Sequence, residues 1–131
     1  IVELRRLVES DAARMVALRA EGSSIEGVTK AIELMRATPE DVPAFAEADI
    51  SFHMAIVDAA GNSLFSALSK ALAPQTIKFA RAVVTSEDKA QFLLGQHNEI
   101  YDAILNRDAD LAESLMRAHL EQSLQNVRQM T

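Results

Sequence analysis

The chain has 131 residues, of which 49% are apolar, with a formal net charge of −6 at neutral pH and no cysteine. One domain is the natural reading, because a fold of this size buries roughly two thirds of the surface its unfolded chain would expose. The acidic balance argues against direct contact with nucleic acid, where clustered Lys and Arg must meet phosphate, and the lack of cysteine excludes a disulfide framework and a thiolate metal site.

The apolar residues are mostly Ala, Leu, Val and Ile, alongside five Phe, one Tyr and no Trp. They recur every three or four positions, and no sustained period-two alternation or Asn-Gly or Asp-Gly hairpin turn interrupts them. The expectation is an all-α fold, an antiparallel bundle of six or seven helices. No apolar run approaches the ~18 to 20 residues that span a bilayer, and no signal-peptide pattern opens the chain. The reading is therefore a cytoplasmic protein with no membrane partner. Ile1-Val2-Glu3-Leu4 already follows a helical pattern, from which a preceding neighbour is expected.

In chain order, a first helix is predicted over about Val2 to Ala20, ending at Gly22, with Ser23 or Ser24 capping a second from about Ile25 to Ala37. Thr38-Pro39-Glu40-Asp41 reads as a restart, with Thr38 as cap, Pro39 at the first helical position and two acids at the positive end of the dipole. The third helix should run to about Ala60, where Gly61 ends it and Asn62 caps the fourth. From Ser63 the fourth meets Pro74, which predicts a kink or two shorter helices meeting near Ala73. After a break around Thr85 to Asp88, helices from about Glu87 to Leu105 and Ala109 to Gln129 are joined only by Asn106-Arg107-Asp108. So short a joint makes them antiparallel neighbours.

Polar residues interrupt three of the apolar faces. Val42, Phe45, Asp49, Phe52, His53, Ile56 and Ala60 follow helical spacing, so Asp49 and His53 stand one turn apart in a stripe otherwise made of hydrocarbon. His97 sits among Leu93, Leu94, Ile100, Tyr101 and Ile104, and His119 shares a face with Leu111, Ala112 and Leu115. All three histidines and one Asp thus point inward from three helices. Taken singly, a histidine on an apolar face is more often a core residue bonded to a neighbour. Buried carboxylates and imidazoles need partners, however, and one divalent transition metal ion satisfies all four together. Zinc is the first expectation, with nickel, manganese and iron as alternatives for such ligands. A metal-free polar network in a dimerising bundle stays open.

Motifs narrow the chemistry by exclusion. His-Glu-x-x-His is absent, no His precedes Asp, and the paired Glu-x-x-His motifs of di-iron bundles are missing. A small metal-dependent hydrolase or lyase using the same four ligands remains a second reading. It is weakened because Glu99, two positions after His97, turns away from the ion on a helix.

Four stretches in order then resemble a known family. Arg5-Arg6-Leu7-Val8-Glu9-Ser10-Asp11-Ala12-Ala13-Arg14 opens the chain, and Asp49-Ile50-Ser51-Phe52-His53 with Ala59-Ala60-Gly61-Asn62 forms its centre. Gln96-His97-Asn98-Glu99-Ile100 with Ala103-Ile104, and Met116-Arg117-Ala118-His119-Leu120, follow. Together they are similar to the FCD (FadR C-terminal) domain of GntR-family transcription regulators, over essentially the whole chain. The resemblance implies metal ligands at Asp49, His53, His97 and His119, and a small organic acid as effector. It further implies that residues 1–131 form a single effector-binding and dimerisation domain of a homodimer, and not an enzyme. DNA would be met only through an N-terminal winged helix-turn-helix, read as absent from these residues. Arg5 and Arg81 are the cations that could hold the effector's carboxylate. Asn62 is read as a helix cap and Tyr101 as a core aromatic with its hydroxyl satisfied. Met116, Leu120, Leu124 and Val127 lie off the main stripe of the last helix, suited to a partner or to a second core contact.

Overall fold

The three-to-four-residue spacing of apolar positions becomes helix throughout. The computed structural model describes residues 2–129 and contains, among them, seven α-helices and no strand. These are α1 (Val2–Leu18), α2 (Glu26–Ala37), α3 (Val42–Ala59), α4 (Ser63–Ala71), α5 (Ala73–Val83), α6 (Glu87–Leu105) and α7 (Ala109–Gln129), with a single 3-10 turn at Gly22–Ile25.

Helix starts follow local chemistry, with two corrections to the sequence reading. Asp41, not Thr38, caps α3, its carboxylate accepting from the Ala44 N–H at 3.2 Å. The reason is Pro43. A helix starting at Pro39 would put Pro43 at its fifth position, where the missing N–H and the ring break the ladder; starting at Val42 puts it in the first turn, where no N–H is needed. Thr38 instead closes α2 by donating its hydroxyl to the Leu34 carbonyl at 2.8 Å. Ser24 likewise does not cap α2: it pairs reciprocally with Glu21 around the 3-10 turn, and α2 follows Ile25 without a side-chain cap.

Elsewhere the breaks fall as expected. Gly61 leaves α3 at φ +74°, and Asn62 accepts from the Leu64 and Phe65 N–H groups to start α4. A Cβ on Gly61 would stand 2.9 Å from Nη1 of Arg19, the nitrogen that donates to the Ala60 carbonyl at the end of α3. Pro74 offers no N–H to the Lys70 carbonyl, so the chain divides at Leu72 into α4 and α5, with Pro74 in the first turn of α5. Between α6 and α7, Arg107 takes φ +57° and donates to the Leu18 carbonyl at 2.8 Å, tying that joint to the end of α1.

The bundle is organised by two long helix pairs, α1 along α7 and α2 along α3, with α6 packed against α1, α2 and α7. Ile32, Met35, Phe45, Phe52, Ile56, Ile100, Ile104, Met116 and Leu120 fill the centre. The inward face of α7 is Ala112, Met116, His119, Leu120 and Ser123, whereas Leu111 is 45% exposed and Leu115 half-buried. His119 therefore shares its face with Ala112 and Leu115 as expected, and also with Met116 and Leu120, whereas Leu111 turns to solvent; α1 packs along the length of α7 beside this stripe. In contrast α4 has no buried residue and α5 buries only Thr76, Ala80 and Val83, so these short helices form the thinnest wall of the bundle.

Candidate metal centre

Each polar residue on the three interrupted stripes is carried inward by its helix. Asp49 and His53 come from adjacent turns of α3, His97 from the middle of α6 and His119 from α7, and all four are buried, His97 completely. One ligand atom from each lies within 4.8 Å of the others. His53 Nε2 is 3.2 Å from His97 Nε2, 3.2 Å from His119 Nε2 and 3.2 Å from Asp49 Oδ1, and Asp49 Oδ1 is 3.0 Å from His97 Nε2.

The outer ring atoms settle what faces the centre. His53 Nδ1 meets a carboxylate oxygen of Glu9, which can only accept, so the proton sits on Nδ1. His119 Nδ1 donates to Gln96 Oε1 at 2.7 Å. Both rings then turn Nε2 towards the centre, beside the buried Asp49 Oδ1. Ring nitrogens and a carboxylate oxygen packed this closely require positive charge among them, supplied by a proton or by a cation.

The donor set fits a transition metal ion. For donor bonds of about 2.1 Å, adjacent ligand atoms stand about 3.0 Å apart at right angles and about 3.4 Å apart at the tetrahedral angle. The spacings around His53 and Asp49 fall in that interval. Outer partners that hold a ring by its second nitrogen are the usual support for ligating histidines, and Glu9 and Gln96 fill that place for two of the three. Phe52 closes the cluster with its ring edge-on to His53 and His97, at centroid distances of 5.8 and 4.8 Å.

Electrostatics separate the histidines when only protons are available. Burial pushes His53 down, but the charges and hydrogen bonds of Glu9 and Asp49 outweigh it and raise it to about 9. Burial lowers His97, and it holds His119 well below the usual imidazole range with help from the neighbouring rings. Burial would raise both carboxyls, yet His53 and His97 keep Asp49 well below its ordinary value, and Arg5 with His53 bring Glu9 to about 2. The metal-free cluster thus holds a proton on His53 and two neutral imidazoles.

A narrow cavity opens beside the cluster, lined by Asp49, His53 and His119 together with Arg5, Thr76 and Ser123. Arg5 is buried; its Nε donates to Glu9 at 2.7 Å and its guanidinium stands over the Phe79 ring. Arg81 is elsewhere. Thr76, Phe79, Ala80 and Val83 of α5 face the cavity, and Arg81, a third of a turn beyond Ala80, is 68% exposed and paired with Glu47 on the surface. Glu99 is exposed, and the Tyr101 hydroxyl is satisfied by Thr29 at 2.7 Å.

Glu9, Gln96, Thr76 and Ser123 were not singled out from sequence. Only Glu9 carried a readable sign: it shares a face with Arg5, Val8, Ala12 and Val16, so an i, i+4 charge pair interrupts an apolar stripe.

The sequence matches the FCD domain over residues 1–122. The chain belongs to the FCD domain family. Curated relatives of this FCD domain include the galactonate operon transcriptional repressor of Escherichia coli, 32% identical over 130 residues, which cover 98% of this chain and 57% of that protein. The HTH-type transcriptional repressor NanR of Cronobacter sakazakii is 32% identical over 120 residues, covering 90% of this chain and 46% of that protein. The FCD domain therefore spans about half the length of the curated relatives it matches. A solved structure of Streptococcus agalactiae GntR superposes on 99% of the chain and 57% of its own with a TM-score of 0.73 and 22% identity, a likeness of fold.

Proposed function

We propose that this FCD domain is the metal-containing sensor of a transcription regulator. Asp49, His53, His97 and His119 hold one divalent transition ion, zinc first among the candidates, and the adjoining cavity receives a small organic acid. The observation that carries this reading is the convergence of four buried ligand atoms from three helices within 4.8 Å. The ion supplies a Lewis-acidic centre with coordination positions beyond the four protein ligands, suited to a carboxylate or hydroxyl.

Around that centre the chain does the rest. Glu9 and Gln96 orient His53 and His119; Arg5 offers a guanidinium to a carboxylate; Thr76 and Ser123 offer hydroxyls to a polar substituent. One relative's name refers to galactonate, a carboxylate carrying several hydroxyls, and acids of that class match such a lining. Arg81 was a second candidate for the acid's carboxylate, but its surface position favours Arg5. Occupancy would be passed to DNA-reading domains of a homodimer, a switch for which a coupling of about 1–3 kcal/mol suffices.

Two experiments test this. Elemental analysis of protein kept from chelators is expected to return about one equivalent of metal. A content below about a tenth of an equivalent, unchanged by added zinc, nickel or manganese, would remove the reading. Calorimetric titration with short hydroxy- and dicarboxylic acids should show binding that Asp49→Ala abolishes; binding unaffected by Asp49→Ala would place the acid elsewhere.

A further inference from the structure

We infer that Glu9 is a positioning residue that couples an anion held at Arg5 to a cation held by the histidine cluster. The inference rests on the metal reading above and adds a relay to it. Glu9 is 5% exposed and divides its two oxygens: one takes the Arg5 Nε at 2.7 Å, and the other takes Nδ1 of His53. No other residue of the site touches both the cavity cation and a ring of the cluster. Among the described residues, nothing accepts from the two terminal nitrogens of Arg5, and Arg5 lines both the cavity beside the cluster and a second one lined also by His53, Glu9 and Thr76.

The physical consequence follows from charge sharing. With no anion present, Glu9 divides its negative charge between a guanidinium and the His53 N–H. A carboxylate on the terminal nitrogens of Arg5 satisfies part of that guanidinium charge, and Glu9 then polarises the His53 N–H more strongly. His53 Nε2 becomes a better donor to a cation. Coupling between two binding events is reciprocal, so the cation also favours the anion. His119 supplies an internal comparison, because its Nδ1 donates to the neutral amide of Gln96, which has no contact with Arg5.

The test measures zinc affinity of the full chain by competition with a chromogenic chelator, with acetate as the anion probe. Glu9→Gln keeps an acceptor for His53 but turns its amide N–H against Arg5. It is expected to weaken zinc about 10- to 100-fold and to remove any effect of acetate on zinc affinity. Arg5→Gln should keep zinc binding but lose the acetate effect. Unsubstituted zinc-loaded protein gives a readout independent of either variant's folding: acetate should move the Nδ1–H proton resonance of His53 more than that of His119, and Arg5→Gln should abolish the difference. If unsubstituted protein binds no zinc, the metal reading falls and the relay with it. If it binds zinc and Glu9→Gln binds it equally tightly, or if acetate moves both proton resonances alike, the relay alone is overturned.

Discussion

At the level of single side chains, the site is defined by polar groups that hydrocarbon surroundings make costly. His97 is the strongest case, being wholly buried with Nδ1 unpartnered and Nε2 turned to the cluster. His97→Ala should lower the thermal midpoint of metal-loaded protein markedly and that of chelated protein much less, since a bound ion stabilises the fold by linkage. Equal losses in both states, read by circular dichroism, would assign His97 to packing alone.

The protons of the metal-free cluster give a second prediction at this level. His53 is raised from 6.5 to about 9 in the fold, so its contribution is complete below about pH 6.5 and is lost as pH rises to about 9. His97 and His119 are lowered, so their contribution runs the other way and is lost as pH falls through 6.5. Chelated protein should therefore be most stable near pH 6.5. A metal ion competes with the His53 proton, so zinc affinity should climb between pH 6.5 and 9; a flat profile in a chelator competition would contradict the assignment.

Helices and their junctions decide how the ligands are presented. Gly61 combines a positive φ with the Arg19 guanidinium against its open side, directly after the helix that carries Asp49 and His53. Gly61→Ala should cost about 1–2 kcal/mol from the left-handed backbone alone, and Asn62→Ala about 1 kcal/mol from the lost cap, both measurable by urea denaturation. The α4–α5 wall buries little and covers the cavity through Thr76, Phe79, Ala80 and Val83. Amide exchange in α4 and α5 is expected to be faster than in α3, and to slow when metal and acid are bound together. Exchange as slow as in α3 without ligand would show that this wall does not open.

For the whole molecule, an ion held by the four ligands would tie α3, α6 and α7 through one point, and Glu9 would add α1 through His53. A single cation there would staple four of the seven helices of the described residues, including both members of the α1–α7 pair. At a free concentration a thousand times its Kd, an ion specific to the native state adds about 4 kcal/mol. Chelation should therefore lower the midpoint of the entire unfolding transition rather than melt one segment. Calorimetry showing an unchanged transition after metal removal would deny the ion a structural role.

Helix number, the α6 and α7 boundaries, the division at Pro74 and the inward placement of Asp49, His53, His97 and His119 were legible in the chain, because each depends on spacing within one segment. A polar residue on an apolar stripe declares burial without any knowledge of its neighbours. Where Glu9 and Gln96 act was not legible, since a partner is specified by which helices lie side by side, and that results from packing every apolar face at once. The same holds for Arg5 and Arg81. Both are cations on helices, and only the rotation of α1 and α5 against α3 puts the first beside the cluster and turns the second to solvent. Met116 and Leu120, suited from sequence to a partner or to a second core contact, serve the core of the chain itself. Local chemistry set the elements and marked the buried polar groups; the docking of helices distant in sequence made them one site, because contact between such residues is a property of the assembled core.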